Sequence, residues 1–149
     1  FEAVAQLLGH RGFSFVTRSS RATAAAPTEV LLVDTLGELL QFYAAADVAF
    51  VGGSLVSIGG HNLLEPAALS LPILTGPNNY NSEDIAKLLL DVGAAFQVND
   101  MRDLSSQVTA LLAEPARRAA IGERGRKTMD ENRGALYRLL ELIIPLLRD

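Results

Sequence analysis

The segment from Asp47 to Pro77 reads DVAFVGGSLVSIGGHNLLEPAALSLPILTGP and decides the fold. It begins with an apolar run that ends on a glycine pair, and it closes with a second apolar run, PILTG. Between the two runs, a glycine-rich stretch leads into a short predicted helix, EPAALSL. The order of strand, loop, helix and strand is typical of a βαβ unit with parallel strands.

The same alternation of short apolar runs and helical patterns extends along the chain. Strands are predicted at residues 13–17, 30–34, 47–53, 72–76 and 94–98. Helices are predicted at 1–8, 38–46, 65–71, 82–93 and 103–114, where Ser82 and Asp103 are the expected N-caps of the last two. A helical tail follows at 115–149, with a break near Gly134. We therefore predict an α/β fold with a mostly parallel sheet, in one domain over residues 1–149.

The composition excludes several classes of protein. The chain has 149 residues, a net charge of -4 and no Cys. Disulfides, thiolate metal sites and a cysteine nucleophile are therefore excluded, and an acidic chain is a poor partner for nucleic acid. Because no apolar run approaches the roughly 20 residues of a membrane span, we expect this chain to be soluble. No Lys or Arg occurs between Thr23 and Ile85.

The two glycine pairs indicate an anion site. Gly52 and Gly53 follow a strand directly and precede Ser54, and the pair at 59–60 precedes a helix. Backbone amides and a helix amino terminus bind phosphate without a cation, which suits the missing Lys and Arg. The alternative is that the glycines only form tight turns. The spacing matches neither a dinucleotide fingerprint nor a P-loop.

Asn62 and Glu65 have the spacing of a capping box, which is a purely structural role. Pro66 weakens that reading, because a helix capped at Asn62 would need the amide that proline lacks. We expect the helix to begin a residue or two later. Both side chains would then face a ligand, with the Glu65 carboxylate accepting ribose hydroxyls and the Asn62 amide orienting a base or phosphate.

The remaining polar residues indicate few catalytic groups. His61 lies inside the glycine loop and would donate to a phosphate, although a lone His is often structural. With one other His and no Cys, the chain is not expected to bind a metal. Ser54 lacks the frame of a catalytic serine, so we assign no catalytic residue to this chain. The three Asn of the stretch 76–86 exceed what a plain connection needs.

The stretch DTLGELLQFYAAADVAFVGGSLVSIGGHNLLEPAALSLPILTGPNNYN, residues 34–81, closely resembles the carboxyl-terminal domain of the 3-deoxy-D-manno-octulosonic acid (Kdo) transferases of lipopolysaccharide biosynthesis. The resemblance implies the GT-B architecture, in which two Rossmann-like halves face each other across a cleft. This chain resembles the second half, which binds the donor CMP-Kdo. The amino-terminal acceptor domain, with its general base and its membrane-anchoring segment, would be absent. Phe1 is no initiator residue, so we expect a fragment.

The resemblance also implies the donor-binding residues. The Gly52 to Ser54 turn and the loop of Gly59, Gly60, His61 and Asn62 would approach the phosphate and the sugar. Glu65 would hold the ribose hydroxyls, and Gly37 would lie against the nucleotide. No cofactor and no metal are implied.

The expected function is therefore transfer of Kdo from CMP-Kdo to a lipid A precursor. The full-length enzyme would act at the cytoplasmic face of the bacterial inner membrane, and the fragment alone would be inactive. Two alternatives stay open at this point. One is the donor domain of another GT-B enzyme that uses a UDP-sugar, and the other is a nonenzymatic nucleotide-binding module.

Overall fold

The structure is a computed structural model that describes residues 1–22, 27–134 and 143–144. The chain divides into two compact units, Phe1–Phe42 and Tyr43–Asp149. The prediction of a single domain over 1–149 is not tested by this division and stays a prediction.

The first unit is a small α/β arrangement. It contains helix α1, Glu2–His10, and two parallel strands, β1 at Phe15–Thr17 and β2 at Val30–Leu32. Both strands coincide with predicted apolar runs, although each is only three residues long. The loop after β2 carries Gly37 and leads to helix α2, Leu39–Ala44, which crosses the boundary between the units.

The second unit is a three-stranded parallel sheet flanked by helices. Its strands are β3 (Ala49–Val51), β4 (Ile73–Thr75) and β5 (Ala95–Gln97), arranged in the order β3-β4-β5. Its helices are α3 (Leu64–Ala68), α4 (Glu83–Asp91), α5 (Met101–Ala113) and α6 (Pro115–Asn132). Both strand pairs are parallel. The predicted α/β fold with parallel strands is confirmed, although the strands form two sheets.

The core of the second unit covers both faces of its sheet. Ile73 and Leu74 are fully buried neighbours in β4, so their side chains point to opposite faces. Ile73 packs in a cluster with residues of α3 and α4, whereas Leu74 packs with Leu111 of α5 and Ile121 of α6. Burial on both faces explains why two apolar residues, Ile73 and Leu74, follow each other in β4.

The start of α5 differs from the prediction. The N-cap is Asp100, whose carboxylate accepts the amides of Arg102 at 2.8 Å and Asp103 at 2.9 Å. The prediction of Asp103 as the cap was wrong, because Met101 and Arg102 already form the first turn. The Asp103 carboxylate instead accepts the amide of Asn99, which precedes the cap. Ser82 occupies the predicted N-cap of α4 without a side-chain hydrogen bond.

Helix α6 approaches α3 closely at a glycine. A Cβ on Gly122 would overlap the carbonyl group of Ser70, just beyond the end of α3. The two helices therefore pack together because this position has no side chain. The remainder of the predicted tail, at 135–142 and 145–149, lies outside the described residues. No helix in the described ranges is long and apolar enough to cross a membrane.

Candidate functional site

Two connections leave the carboxyl ends of β3 and β4. Residues 52–62, here called the glycine-rich loop, join β3 to α3, and residues 77–82, the asparagine segment, join β4 to α4. Because β3 and β4 pair in parallel, Gly52, Gly53 and Gly76 follow the strands at the same edge of this sheet. Ligands of open α/β sheets bind at this edge.

Ser54 is a structural residue of the glycine-rich loop. It is fully buried, and its hydroxyl donates to the Val51 carbonyl at 2.6 Å. The same hydroxyl accepts the Gly76 amide at 2.8 Å. The Ser54 side chain is therefore committed to the ends of β3 and β4, while the predicted approach of the Gly52 to Ser54 turn to a ligand stays a prediction.

The two glycine pairs bind to each other. The Gly60 amide donates to the Gly53 carbonyl at 3.3 Å, and the His61 amide donates to the Gly52 carbonyl at 3.2 Å. The backbone amides of both glycine-containing segments were expected to be available to a ligand. That expectation was wrong for the amides of Gly60 and His61, which bind within the loop. Sequence spacing could not reveal this pairing, because glycine pairs that bind a ligand and pairs that bind each other look alike.

Burial divides the predicted residues into two groups. Ser54, Gly59 and Gly60 are buried and support the loop. The accessible residues are Gly52, Gly53, His61, Asn62 and Glu65. The imidazole of His61 lies over Gly53, since a Cβ placed there would be 3.4 Å from Cδ2 of His61. Within the described part of the chain, the Gly53 amide donates to no protein acceptor. The accessible set therefore offers an amide, an imidazole, a carboxamide and a carboxylate.

Helix α3 begins at Leu64, two residues after Asn62, as Pro66 suggested. The Asn62 side chain is nevertheless used locally. Its Oδ1 accepts the Leu64 amide at 2.9 Å, and its Nδ2 donates to Oε1 of Glu65 at 3.1 Å. The expectation that a later helix start frees both side chains was thus wrong for Asn62. Among the described residues, Oε2 of Glu65 accepts no hydrogen bond, so its lone pairs are left for a ligand.

Tyr43 is a neighbour of Glu65 that the sequence did not indicate. Burial of its half-buried ring raises the pKa of the Tyr43 phenol, and the negative charge of Glu65 raises it further. The phenol therefore stays protonated and remains a hydrogen-bond donor close to the carboxylate. A Tyr in a helix, far from the glycine motifs in sequence, gives no signal of this proximity.

The asparagine segment holds the glycine-rich loop. Asn81 donates from its backbone amide to the Gly59 carbonyl at 3.2 Å. Its Nδ2 donates to the carbonyls of Ile58 at 3.2 Å and Gly60 at 3.3 Å. The hydroxyl of Tyr80 donates to the Ser57 carbonyl at 2.9 Å. The excess of Asn in this connection therefore has a physical role, although the sequence did not identify the loop as its partner.

Gly37 lies in the first unit, in the loop after β2, with a φ of +81° and open space around it. The polar side chains of that loop bind one another. Thr35 and Arg18 both donate to the Glu38 carboxylate, which lowers the pKa of Glu38, with the Thr35 hydrogen bond as the larger cause. Glu38 is thus an ion-pair partner of Arg18.

A cleft of about 420 Å³ lies on the other side of the asparagine segment, between that segment and α4. Asn78, Tyr80 and Gln97 are among its lining residues, and none of the predicted donor-binding residues lines it. The accessible predicted residues instead lie in the glycine-rich loop and in the first turn of α3. Across the described ranges, no three His, Asp or Glu side chains converge as a metal site would require.

Comparison with known proteins agrees with this architecture. Residues 17–128 match the family model of the glycosyl transferases group 1. The 3-deoxy-D-manno-octulosonic acid transferase of Haemophilus influenzae is 43% identical over 99% of this chain, and the match covers 35% of that protein. The enzyme of the same name from Bordetella pertussis is 42% identical over 95% of this chain and is covered to 33%. The chain therefore spans about a third of the length of these relatives.

Among solved structures, the C-terminal CMP-Kdo binding domain of WaaA from Acinetobacter baumannii matches with a TM-score of 0.82 and 32% identity. The match covers 86% of this chain and 67% of that one. The expected likeness to the second half of a GT-B enzyme is confirmed. This chain belongs to the glycosyl transferases group 1 family, in which it is similar to the carboxyl-terminal domain of the Kdo transferases.

Proposed function

We propose that this chain is the donor-binding domain of a glycosyltransferase that moves Kdo from CMP-Kdo to a lipid A precursor. The proposal rests on the likeness, at 32% identity and a TM-score of 0.82, to a domain described as binding CMP-Kdo. The accessible groups of the glycine-rich loop and α3 support it, because they suit the parts of a nucleotide sugar.

The phosphate of CMP would bind at Gly53 and His61. The Gly53 amide has no protein acceptor within the described residues, and the His61 imidazole lies beside it. No Lys or Arg occurs from residue 23 to residue 85, so an amide and an imidazole are the donors that this surface offers. Oriented amides bind anions without a formal charge. Of the predicted contacts, Gly59, Gly60 and Ser54 would act as buried supports.

The ribose would bind at Glu65. Its Oε2 would accept a ribose hydroxyl, while Nδ2 of Asn62 donates to the other oxygen of the carboxylate at 3.1 Å. A hydrogen bond to a charged carboxylate is stronger than one between neutral groups, so this contact would contribute much of the affinity. Gly37 remains a proposed contact of the nucleotide, within the first unit.

In the proposed reaction, an acceptor hydroxyl oxygen attacks the anomeric carbon of Kdo. The bond from that carbon to the phosphate oxygen breaks, CMP leaves with the bonding electrons, and a base takes the hydroxyl proton. Hydrogen bonds from the loop stabilise the charge that grows on the departing phosphate. We expect the base, the acceptor site and the attachment to the cytoplasmic face of the inner membrane to belong to the part of the relatives that this chain does not match.

Calorimetric titration of the chain with CMP tests the proposal. We expect CMP to bind, and Glu65→Gln to weaken binding by roughly 10- to 100-fold, as loss of a hydrogen bond to a charged group predicts. Glu83→Gln is the matched control, since Glu83 starts α4 outside the proposed contacts. Failure of the unmodified chain to bind CMP would contradict the proposal. Preferential binding of UDP would instead favour a UDP-sugar donor.

A transfer assay with CMP-Kdo and a lipid A precursor tests the division of roles. We expect no transfer by this chain alone, because we assign it the donor site and no base. Measurable transfer by this chain would show that the assignment of the base to another part of the enzyme is wrong.

A further inference from the structure

One residue of the asparagine segment binds the backbone of the glycine-rich loop at three successive positions. Three consecutive carbonyls, those of residues 58, 59 and 60, each accept a hydrogen bond from Asn81. One residue thus determines the orientation of three successive peptide units directly before His61. We propose that Asn81 is a positioning residue, which holds the glycine-rich loop in the conformation that binds the donor phosphate. This inference rests on the proposed function for the identity of the ligand.

Asn81 is itself anchored through Asn79. The Asn79 side chain is 8% exposed, its Oδ1 accepts the Thr75 hydroxyl at 2.8 Å, and its Nδ2 donates to the Gly76 carbonyl at 2.6 Å. The Asn79 carbonyl also accepts the Ser82 amide at 2.9 Å. The residues on both sides of Asn81 are therefore connected to the end of β4. A side chain anchored in this way loses little further freedom when it binds the loop.

The glycine-rich loop has no space for side chains at residues 59 and 60, where the asparagine segment contacts it. Gly59 has a φ of +103°, and a Cβ there would overlap the side chains of Asn81 and Tyr80. A Cβ on Gly60 would lie 2.7 Å from Oδ1 of Asn79. The second glycine pair is therefore needed for the close approach of the asparagine segment, and its burial follows from that approach.

The hydrogen bonds from Asn81 influence the proposed phosphate site through the backbone of Gly60 and His61. The amides of Gly60 and His61 pair with the carbonyls of the first glycine pair. The peptide unit between Gly60 and His61 therefore has both its groups bound. Its carbonyl accepts from Asn81, and its amide donates to Gly52, next to the Gly53 that the His61 imidazole contacts. Loss of the Nδ2 donor would free the carbonyls of Ile58 and Gly60, and with them the relative placement of Gly53 and His61.

Asn81→Asp tests the inference, because aspartate keeps the shape of the side chain and removes its donors. We expect the NMR amide signals of Gly53, Gly59 and Gly60 to shift and CMP to bind roughly 5- to 100-fold more weakly, the range that corresponds to the two hydrogen bonds lost with Nδ2. Asn132→Asp is the matched control, since its Nδ2 likewise donates to a backbone carbonyl, that of Thr128 in α6. The control should leave the loop signals and the affinity for CMP unchanged.

Several outcomes would overturn the inference. Loop signals that are the same in Asn81→Asp and in the unmodified chain would do so, as would equal affinities for CMP. Asn81→Ala gives a second variant, without the new carboxylate, and should reproduce both effects. If the unmodified chain fails to bind CMP, the proposed function fails, and the loop signals alone then decide whether Asn81 holds the loop.

Discussion

The hydroxyl of Ser54 accepts the backbone amide of Gly76 at 2.8 Å, across 22 residues of sequence. It donates at the same time to the carbonyl of Val51, so one side chain joins the ends of two parallel strands. The carbonyl of Ser54 in turn accepts the amide and the side chain of Asn78. Ser54 therefore connects the first turn of the glycine-rich loop to the asparagine segment.

Ser54→Ala should lower the free energy of unfolding by about 1 to 3 kcal/mol, because it leaves a buried carbonyl and a buried amide without their partner. Chemical denaturation measures the change. Ser57→Ala, at an exposed position of the same loop, should change stability by less than about 0.5 kcal/mol. Equal effects of the two substitutions would show that the Ser54 hydroxyl contributes nothing particular to the fold.

Gly122→Ala should destabilise the chain by about 1 to 3 kcal/mol, because the new methyl group would push α6 away from the Ser70 carbonyl. Gly9→Ala places the same methyl group in α1, where nothing lies within 4 Å. That control should be neutral or stabilising by up to about 1 kcal/mol, from helix propensity alone. Thermal unfolding compares the two, and a tolerated alanine at 122 would contradict the close approach of α6.

Asp100→Ala should lower the free energy of unfolding by about 0.5 to 2 kcal/mol, the usual cost of a lost N-cap. Asp100→Asn keeps an acceptor for the amides of Arg102 and Asp103, so it should retain most of the stability. Denaturant unfolding separates these variants. If both lose the same amount, the charge of Asp100 matters more than its hydrogen bonds.

Acid should remove a stabilising contribution of the Asp34 carboxylate, because its pKa is lowered in the folded chain. Hydrogen bonds from the hydroxyl and then the amide of Ser19 hold the pKa of Asp34 below its ordinary 3.8. Because the folded pKa is the lower one, the ionised form adds stability above the unfolded pKa. That contribution is lost as the pH falls through the folded pKa. Ser19→Ala should therefore raise the pKa of Asp34 toward 3.8 in an NMR titration.

Ser20→Ala is the control for that titration, since the Ser20 hydroxyl donates to the Thr17 carbonyl. It should leave the pKa of Asp34 unchanged. A pKa of Asp34 at or above 3.8 in the unmodified chain would be incompatible with the two hydrogen bonds from Ser19.

The strands of this fold could be predicted from sequence because their signal is local. Each of the five apolar runs contains one strand, and the alternation with helical patterns indicated parallel pairing. The late start of α3 could likewise be predicted from Pro66, because the missing amide is a property of that one residue. The cap of α5 was misassigned between Asp100 and Asp103, because either carboxylate suits a helix start.

The internal contacts of the candidate site could not be predicted in the same way. The roles of Ser54 and Asn81 depend on backbone groups more than 20 residues away, and neither lies in a local pattern that would name its partner. The pairing of Gly60 with Gly53 is shorter in sequence, but it depends on how the loop folds back. Residue types indicated which groups were present, and only the tertiary structure determined which of them remain accessible.

Arg118 of α6 binds both the amino-terminal end of β3 and the end of α5. The glycine-rich loop follows the other end of β3. The Arg118 guanidinium pairs with Asp47, just before β3, at 2.7 Å, and donates to the carbonyls of Leu111 and Leu112 at the end of α5. Arg118 and Asp47 are 71 positions apart, so this is a contact of high sequence separation. During synthesis, β3, β4 and β5 leave the ribosome before α6 is complete. The contact at the start of β3 therefore forms only after Arg118 has been made, and truncation before Arg118 would remove it.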